Sequence, residues 1–167
     1  MADSILEERA KRYAERAEVQ IQFECSLGSG TDGTVWKTLR GSAVKSFERR
    51  PNYMLEVECY KRLTSAGVTE IDGFAVPRLI GFDDDLWVIE IEIVTRPFIL
   101  DFAKVYLDRP PDYSPEVLAE DEDRNREVFE DRWPNVKSLM YALRRYGIYY
   151  MDPKPGNITF EERRERD

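Results

Sequence analysis

The sequence predicts an α+β fold built on an antiparallel sheet. Apolar and polar residues alternate from Val19 to Cys25, as in a half-buried strand, and glycine-containing turns follow it. A second alternating region spans residues 76–94, and helical spacing dominates the chain after it. We therefore expect a five-stranded antiparallel sheet with one packed helix, followed by a minimal, mostly helical C-terminal part.

A helix over residues 4–18 precedes the expected sheet. Ser4 and Glu7 have the spacing of an S-x-x-E capping box, which satisfies free amides at the start of a helix. The apolar residues that recur at helical spacing are Leu6, Ala10, Tyr13, Ala14 and Ala17. This pattern predicts an amphipathic helix that packs against another element.

Three strands are expected to form a meander over residues 19–47. The first ends in the glycine-rich segment 28–33, and the second runs near residues 34–39. The third runs near residues 42–47, after the turn Arg40-Gly41. Cys25 lies in the apolar pattern of the first strand, and we interpret it, like Cys59, as a small buried hydrophobic residue.

One helix and two further strands complete the expected sheet region. The helix begins at Pro51-Asn52 and ends near Ala66, because Gly67 is a natural stop. Strands over residues 76–82 and 86–94 flank an aspartate-rich turn at 83–85. Alternation within the second of these strands places its tryptophan and isoleucines on one face and its glutamates on the other.

The second half of the chain is less regular. Four prolines in residues 97–115 mark a transition, although the segment 98–102 is apolar enough to pack on a core. Residues 116–131 are rich in acids and predict a solvated helix or loop that attracts a basic partner. Apolar residues then recur at helical spacing from Val136 to Tyr146, and Gly147 ends that helix.

Composition excludes several classes of function. The chain has 167 residues, a net charge of −8 and no histidine. Without histidine there is no Ser-His triad and hardly any zinc chemistry, so proton transfer depends on carboxylates, lysines or tyrosines. The acidic balance disfavours nucleic acid as a partner, since neutralising phosphates needs a basic surface. Magnesium bound by oxygen ligands remains compatible with this composition.

No segment of the sequence predicts insertion into a membrane or secretion. The longest apolar runs fall well short of the roughly 20 residues that a membrane helix needs. The N-terminal residues lack a basic region followed by an apolar core. We therefore expect a cytoplasmic protein without a membrane partner.

The first motif combines a glycine-rich turn with a lysine on a later strand. Gly28, Gly30, Gly33 and Val35 fit the pattern G-x-G-x-x-G-x-V, and Lys45 follows on the third strand. Glycines at this turn allow a phosphate chain to approach the backbone closely. A simple hairpin is the competing interpretation of the turn, and a solvent-facing strand lysine is that of Lys45.

Glu56 is the predicted partner of Lys45. It shares a helical face with Tyr60 and Leu63, so it points toward the core, where an unpaired carboxylate is costly. Glu58 instead has the spacing of an exposed pair with neighbouring basic residues.

The second motif lies near the end of the printed sequence. Asp152, Lys154 and Asn157 follow an apolar run within the segment D-P-K-P-G-N. A carboxylate here accepts a hydroxyl proton, a lysine neutralises a transferring phosphoryl group, and an asparagine offers oxygen to magnesium. The competing interpretation is a Pro-Gly turn with incidental polar residues.

Together the two motifs resemble the protein-kinase-like superfamily. The resemblance spans about residues 22–160 and implies a single minimal domain over residues 1–167. An N-terminal helix (1–20) would precede an N-lobe (21–95) and an abbreviated C-lobe (96–167), with ATP and Mg²⁺ between the lobes. The implied site residues are Gly28, Gly30, Gly33, Val35, Lys45, Glu56, Glu92 and Val94 for the nucleotide, Asn157 for the magnesium ion, and Asp152 and Lys154 for catalysis.

The sequence also departs from the family pattern. Tyr150 and Met151 replace the usual His and Arg, which makes control through a phosphorylated activation loop improbable. No Asp-Phe-Gly follows Asn157, and no activation segment or docking platform is encoded after it. The candidates to replace that metal ligand are Glu161, Glu162 and Asp167, in a charged tail typical of a solvated terminus.

Two main functions are therefore compatible with the sequence. One is an ATP-binding, kinase-like protein with weak or no phosphotransferase activity, because a metal ligand and the activation segment are missing. The other is a pseudokinase scaffold or interaction module that binds nucleotide weakly or not at all, its missing C-lobe elements being either lost or supplied by a protein partner. A plain α+β interaction domain is a third interpretation.

Overall fold

The structure, a computed structural model, describes residues 2–161, with side chains from residue 4 onward. Its described helices are α1 (Ala2–Ala17), α2 (Arg50–Ser65), α3 (Pro115–Phe129) and α4 (Trp133–Leu143). Its described strands are β1 (Ile21–Gly30), β2 (Gly33–Thr38), β3 (Ser42–Phe47), β4 (Glu70–Ile71), β5 (Phe74–Ala75), β6 (Leu79–Asp83), β7 (Val88–Glu92), β8 (Tyr106–Leu107) and β9 (Ile148–Tyr149). The expected α+β class is confirmed.

Five antiparallel strands form the main sheet, in the order β1-β2-β3-β7-β6. β3 lies at the centre, and its register pairs Lys45 with Val35 on one side and with Ile89 on the other. The sheet therefore has the predicted strand number and direction. The short hairpin β4-β5 and the short antiparallel pair β8-β9, whose strands are distant in the chain, lie outside it and were not expected from the sequence.

The first strand differs from its prediction. β1 continues as far as Gly30, and its register with β2 shifts twice before Gly28. These irregularities turn the distal half of β1 toward solvent. Cys25 is consequently exposed, so its prediction as a buried residue is wrong, whereas Cys59 is buried as expected.

α1 packs on one face of the sheet. Leu6, Ala10 and Tyr13 join a buried cluster with Trp36 and Val44 of the sheet. Because the helix begins at Ala2, Ser4 and Glu7 lie inside it and do not form the predicted capping box. No described helix combines the length and apolarity needed to cross a membrane.

α2 packs on the opposite face and carries Glu56 into the core. Its buried residues include Tyr53, Val57 and Tyr60, which join a cluster with Phe47 and Ile89 of the sheet. The helix ends before Gly67, which has φ +68°, as the sequence predicts.

The C-terminal half closes the same core. Residues of α4, Phe102 and Ile158 belong to the cluster that contains α2. α3 is mostly exposed, in agreement with the predicted solvated helix, and Ser114 caps its first turn. Because one core joins the two halves, the glycine-rich turn and the second motif are brought to a common region.

Candidate functional site

A cleft of about 450 Å³ lies where the main sheet meets the C-terminal half. This volume falls in the range typical of small-molecule sites. The cleft is lined by these residues that the sequence predicts for a site: Gly28, Gly30, Gly33, Val35, Lys45, Glu56, Glu92, Val94 and Asn157. Of the predicted residues, only Asp152 and Lys154 lie outside the lining.

The three glycines of the turn have different roles. Gly33 has φ +145°, and a Cβ there would stand 2.1 Å from the carbonyl oxygen of Ser46. Gly33 is therefore required by the hairpin itself. Gly28 and Gly30 have no atom within 4 Å of a built Cβ, so they leave open space along the cleft.

Lys45 and Glu56 form the predicted ion pair. Nζ of Lys45 lies 2.6 Å from Oε2 of Glu56, and the two residues are 9% and 1% exposed. Lys45 lies on the central strand β3, and Glu56 lies on the buried face of α2. The spacing of Glu56 with Tyr60 and Leu63 predicts this position of Glu56. A pair so deeply buried is a poor source of stability, because desolvation offsets most of the attraction.

The electrostatics of this pair depend on burial. Desolvation raises the pKa of Glu56 to about 7, despite the opposing attraction of Lys45. Burial alone would lower the pKa of Lys45, but Glu56 and Asp101 together leave it above its ordinary value. Lys45 therefore stays charged at neutral pH and lies beside more than one carboxylate.

Asp101 is the acid that sequence reasoning missed. Its Oδ1 lies 3.7 Å from Nζ of Lys45, and its Oδ2 accepts a hydrogen bond from Nδ2 of Asn157 at 3.1 Å. It thus connects the lysine of the first motif with the asparagine of the second. The sequence interpretation looked for such an acid after Asn157, whereas Asp101 comes long before it.

Pairing between distant segments places Asp101 in the cleft. Ile99 forms an antiparallel bridge with Ile158, and the amide of Leu100 donates to the carbonyl of Asn157 at 2.8 Å. Asp101 follows with φ +64°, a conformation that aspartate tolerates better than most residues. The available signal was a single acid inside the apolar run 98–102, where an unpartnered carboxylate is costly.

Asp152 and Lys154 lie beside the cleft and not in it. They line an adjoining pocket of about 10 Å³, which shares Asp101 and Asn157 as walls. Their charged atoms are 3.4 Å apart, and each side chain is about half exposed. Asp152 and Lys45 therefore line two adjoining pockets, and Asp101 and Asn157 line both of them.

The cleft also contains a buried hydroxyl without a partner. Tyr60 is fully buried, lines the cleft, and its OH makes no hydrogen bond within the described structure. A buried polar atom in this state is costly unless a ligand or water completes it.

Metal-binding capacity is limited to a partial ligand set. The described residues contain no group of three or more acidic, cysteine or histidine side chains that converges on a cation. Asp101 and Asn157 supply two oxygen-bearing side chains, which suits magnesium, an ion that usually keeps waters and substrate phosphates as its other ligands. Glu161 lines separate surface pockets, and Glu162 and Asp167 lie outside the described residues.

Comparison with models of known protein families and with curated proteins gives no significant match to this chain.

Proposed function

We propose that the chain is a kinase-like, nucleotide-binding protein that takes ATP together with Mg²⁺ into the cleft. One observation carries this proposal. The buried ammonium of Lys45 lies between Glu56 and Asp101, and Asp101 is bound to Asn157, beneath an open glycine-rich turn. A simple hairpin has no need of a lysine buried among carboxylates, since an exposed lysine costs less.

The lining of the cleft suits the two ends of a nucleotide. Val35, Ala43 and Ile91 offer apolar surface to a base, and Glu92 and Val94 line the same cleft. The phosphates would lie under Gly28 and Gly30, where backbone approach is unobstructed. Lys45 would be their fixed positive charge.

The charge of the cleft requires a cation with the phosphates. Glu56, Asp101 and Asp32 all act electrostatically on Lys45, so carboxylates outnumber ammonium groups around it. A bound Mg²⁺ would supply the positive charge that neutralises a triphosphate. Asp101 and Asn157 would hold it, and the Asn157 amide would turn to offer its oxygen in place of Nδ2.

Phosphoryl transfer is proposed to be weak or absent in the conformation described. Asp152 is exposed and contacts Lys154, in a pocket with room for about one water molecule. A base needs to lie within hydrogen-bond reach of the proton that it removes. The same placement favours the alternative of a pseudokinase scaffold, in which the cleft serves only for binding or for stability.

The proposal is tested by calorimetric and thermal measurements on the wild-type chain and Lys45→Met. We expect Mg-ATP to raise the melting temperature of the wild type, and Lys45→Met to weaken binding at least about tenfold, because the phosphates lose a charged partner. Lys11→Met is the control for removing a lysine charge outside the cleft, since Lys11 is a half-exposed lysine on α1 paired with Glu7.

Lys45→Met leaves Glu56 buried without its partner, so a second variant combines it with Glu56→Gln to remove the unpaired charge. Circular dichroism checks that each variant is folded. If millimolar Mg-ATP and Mg-ADP leave the wild-type melting temperature unchanged, the proposed function is wrong and the interaction-module alternative stands. If the Lys45 variants bind as tightly as the wild type, the nucleotide does not use this cleft.

A further inference from the structure

The glycine-rich turn carries a single charged side chain, Asp32, which ties it to two other parts of the protein. Oδ1 of Asp32 accepts a hydrogen bond from Nδ2 of Asn52 on α2 at 2.6 Å. Oδ2 lies 3.6 Å from Nζ of Lys104, which belongs to the C-terminal half. Asp32 is thus an anion of the protein itself that lies where the proposed phosphates would enter.

Lys104 is placed between this anion and the candidate metal ligands. It lines the small pocket that also contains Asp101, Asp152 and Asn157. Its side chain is 51% exposed, so little desolvation opposes its movement. The 3.6 Å separation from Asp32 is longer than a hydrogen bond, and an exposed ion pair of this kind contributes little to stability. Lys104 can therefore exchange its partner at small cost.

We propose that Lys104 recognises the terminal phosphate of a nucleoside triphosphate and that Asp32 takes the place of that phosphate when the cleft is empty. The inference rests on the proposed nucleotide function and adds the ligand class, a triphosphate in preference to a diphosphate. A phosphate chain under Gly28 and Gly30 that ends at Asp101 brings its last phosphate to the wall shared with Lys104. Lys104 then leaves Asp32, which keeps its hydrogen bond to Asn52.

Two consequences follow from this exchange. A diphosphate lacks the group that Lys104 contacts, so Lys104 contributes to the affinity for ATP and hardly to that for ADP. Asp32 repels the entering phosphates and holds Lys104 away from them, so the carboxylate lowers the affinity for the triphosphate.

The test is titration calorimetry of Mg-ATP, Mg-ADP and adenosine with the wild type, Lys104→Met, Lys104→Arg and Asp32→Asn. For Lys104→Met we expect the dissociation constant for ATP to rise about tenfold and that for ADP to stay within about twofold. Lys104→Arg should restore most of the preference for ATP. Asp32→Asn should bind ATP several-fold more tightly than the wild type, and its affinity for adenosine should be unchanged. Lys11→Met, equal to Lys104 in side-chain exposure, should behave as the wild type.

Several outcomes would overturn the inference. If the wild type binds no nucleotide, the proposed function fails and this inference fails with it. If ATP and ADP bind but Lys104→Met leaves their ratio unchanged, only this inference fails, and the Asp32–Lys104 contact is a structural tie. Weaker ATP binding by Asp32→Asn would assign the carboxylate to the turn or to the metal and would contradict the exchange. Melting temperatures of all variants show whether a loss of binding reflects unfolding.

Discussion

At the scale of single residues, the cleft is defined by contacts between polar side chains that are distant in the sequence. Lys45 reaches Glu56 and Asp101, and Asp101 reaches Asn157, although 56 positions separate the last two residues along the chain. Glu56 and Asp101 balance part of the charge of Lys45, and Asp101 also accepts a hydrogen bond from Asn157. Removing one member therefore leaves another without a partner, which makes single substitutions informative.

Asp101→Asn tests the acid as a metal ligand. The amide keeps the size of the side chain but removes its negative charge, so we expect Mg-ATP to bind at least about tenfold more weakly. Adenosine, which carries no phosphate, should bind unchanged. Titration calorimetry with and without Mg²⁺ measures both, and Glu58→Gln on the outer side of α2 is the control. Equal loss of ATP and adenosine binding would mean that Asp101 shapes the fold and does not bind metal.

Glu56 gives the protein a characteristic pH dependence. Burial raises its pKa from the ordinary value of 4.5 to about 7 in the folded chain, so the folded state holds an extra proton between these values. The contribution of Glu56 to stability therefore falls as the pH rises through this window. From pH 5 to 8, the wild type should lose about 2–3 kcal/mol of unfolding free energy relative to Glu56→Gln. Urea unfolding at several pH values measures the difference, and parallel curves for the two proteins would contradict the assignment.

At the scale of elements, α2 positions the site by contacts at both ends. Asn52 in its first turn holds Asp32 of the glycine-rich turn. Arg62 in its last turn donates to both carboxylate oxygens of Asp108, at 2.7 and 3.0 Å, and to the carbonyl of Tyr146 at 3.1 Å. Glu56 lies between these anchors, which explains how the helix keeps the carboxylate against Lys45.

The glycines of the β1-β2 turn fall into two kinds. Gly33 is required by the backbone, whereas Gly28 and Gly30 only border the cleft. Gly33→Ala should destabilise the chain by about 2 kcal/mol or more, because the added Cβ meets the Ser46 carbonyl in a conformation that L-residues avoid. Gly28→Ala should hardly change stability but should weaken Mg-ATP binding, since its open space faces the cleft. Chemical unfolding and calorimetry separate the two effects. Similar losses of stability in the two variants would contradict the assignment of a structural role to Gly33 alone.

Local patterns predicted most elements, and their failures have local causes. β3 and α2 lie where the sequence predicts them. Their bounds are set by signals that span only a few residues, namely side-chain periodicity and the helix stop at Gly67. Cys25 was misplaced because the register shifts in β1 break the alternation on which its burial was inferred. The strand pairs β4-β5 and β8-β9 contain two residues per strand, too few for a period-two pattern to be recognised.

At the scale of the whole molecule, the candidate site depends on one core that joins both halves. Spacing alone indicated Lys45, Glu56 and Asn157, and these residues meet at the cleft. Asp101 could not be found in this way, since its position follows from pairing between Ile99 and Ile158, a contact without a sequence signature. Asp152, which the spacing of the second motif also indicated, lines the adjoining pocket that shares Asp101 and Asn157 with the cleft.

Mg-ATP is proposed to bind where Lys45, Asp101 and Asn157 converge. The most direct measurement is a crystal structure of the chain with a non-hydrolysable ATP analogue and Mn²⁺, whose anomalous signal locates the metal. We predict a metal peak bonded to the carboxylate of Asp101 and the amide oxygen of Asn157, with the phosphates on Lys45 beneath Gly28 and Gly30. A cleft that stays empty at millimolar nucleotide, or a metal and nucleotide bound at another surface, would contradict the account.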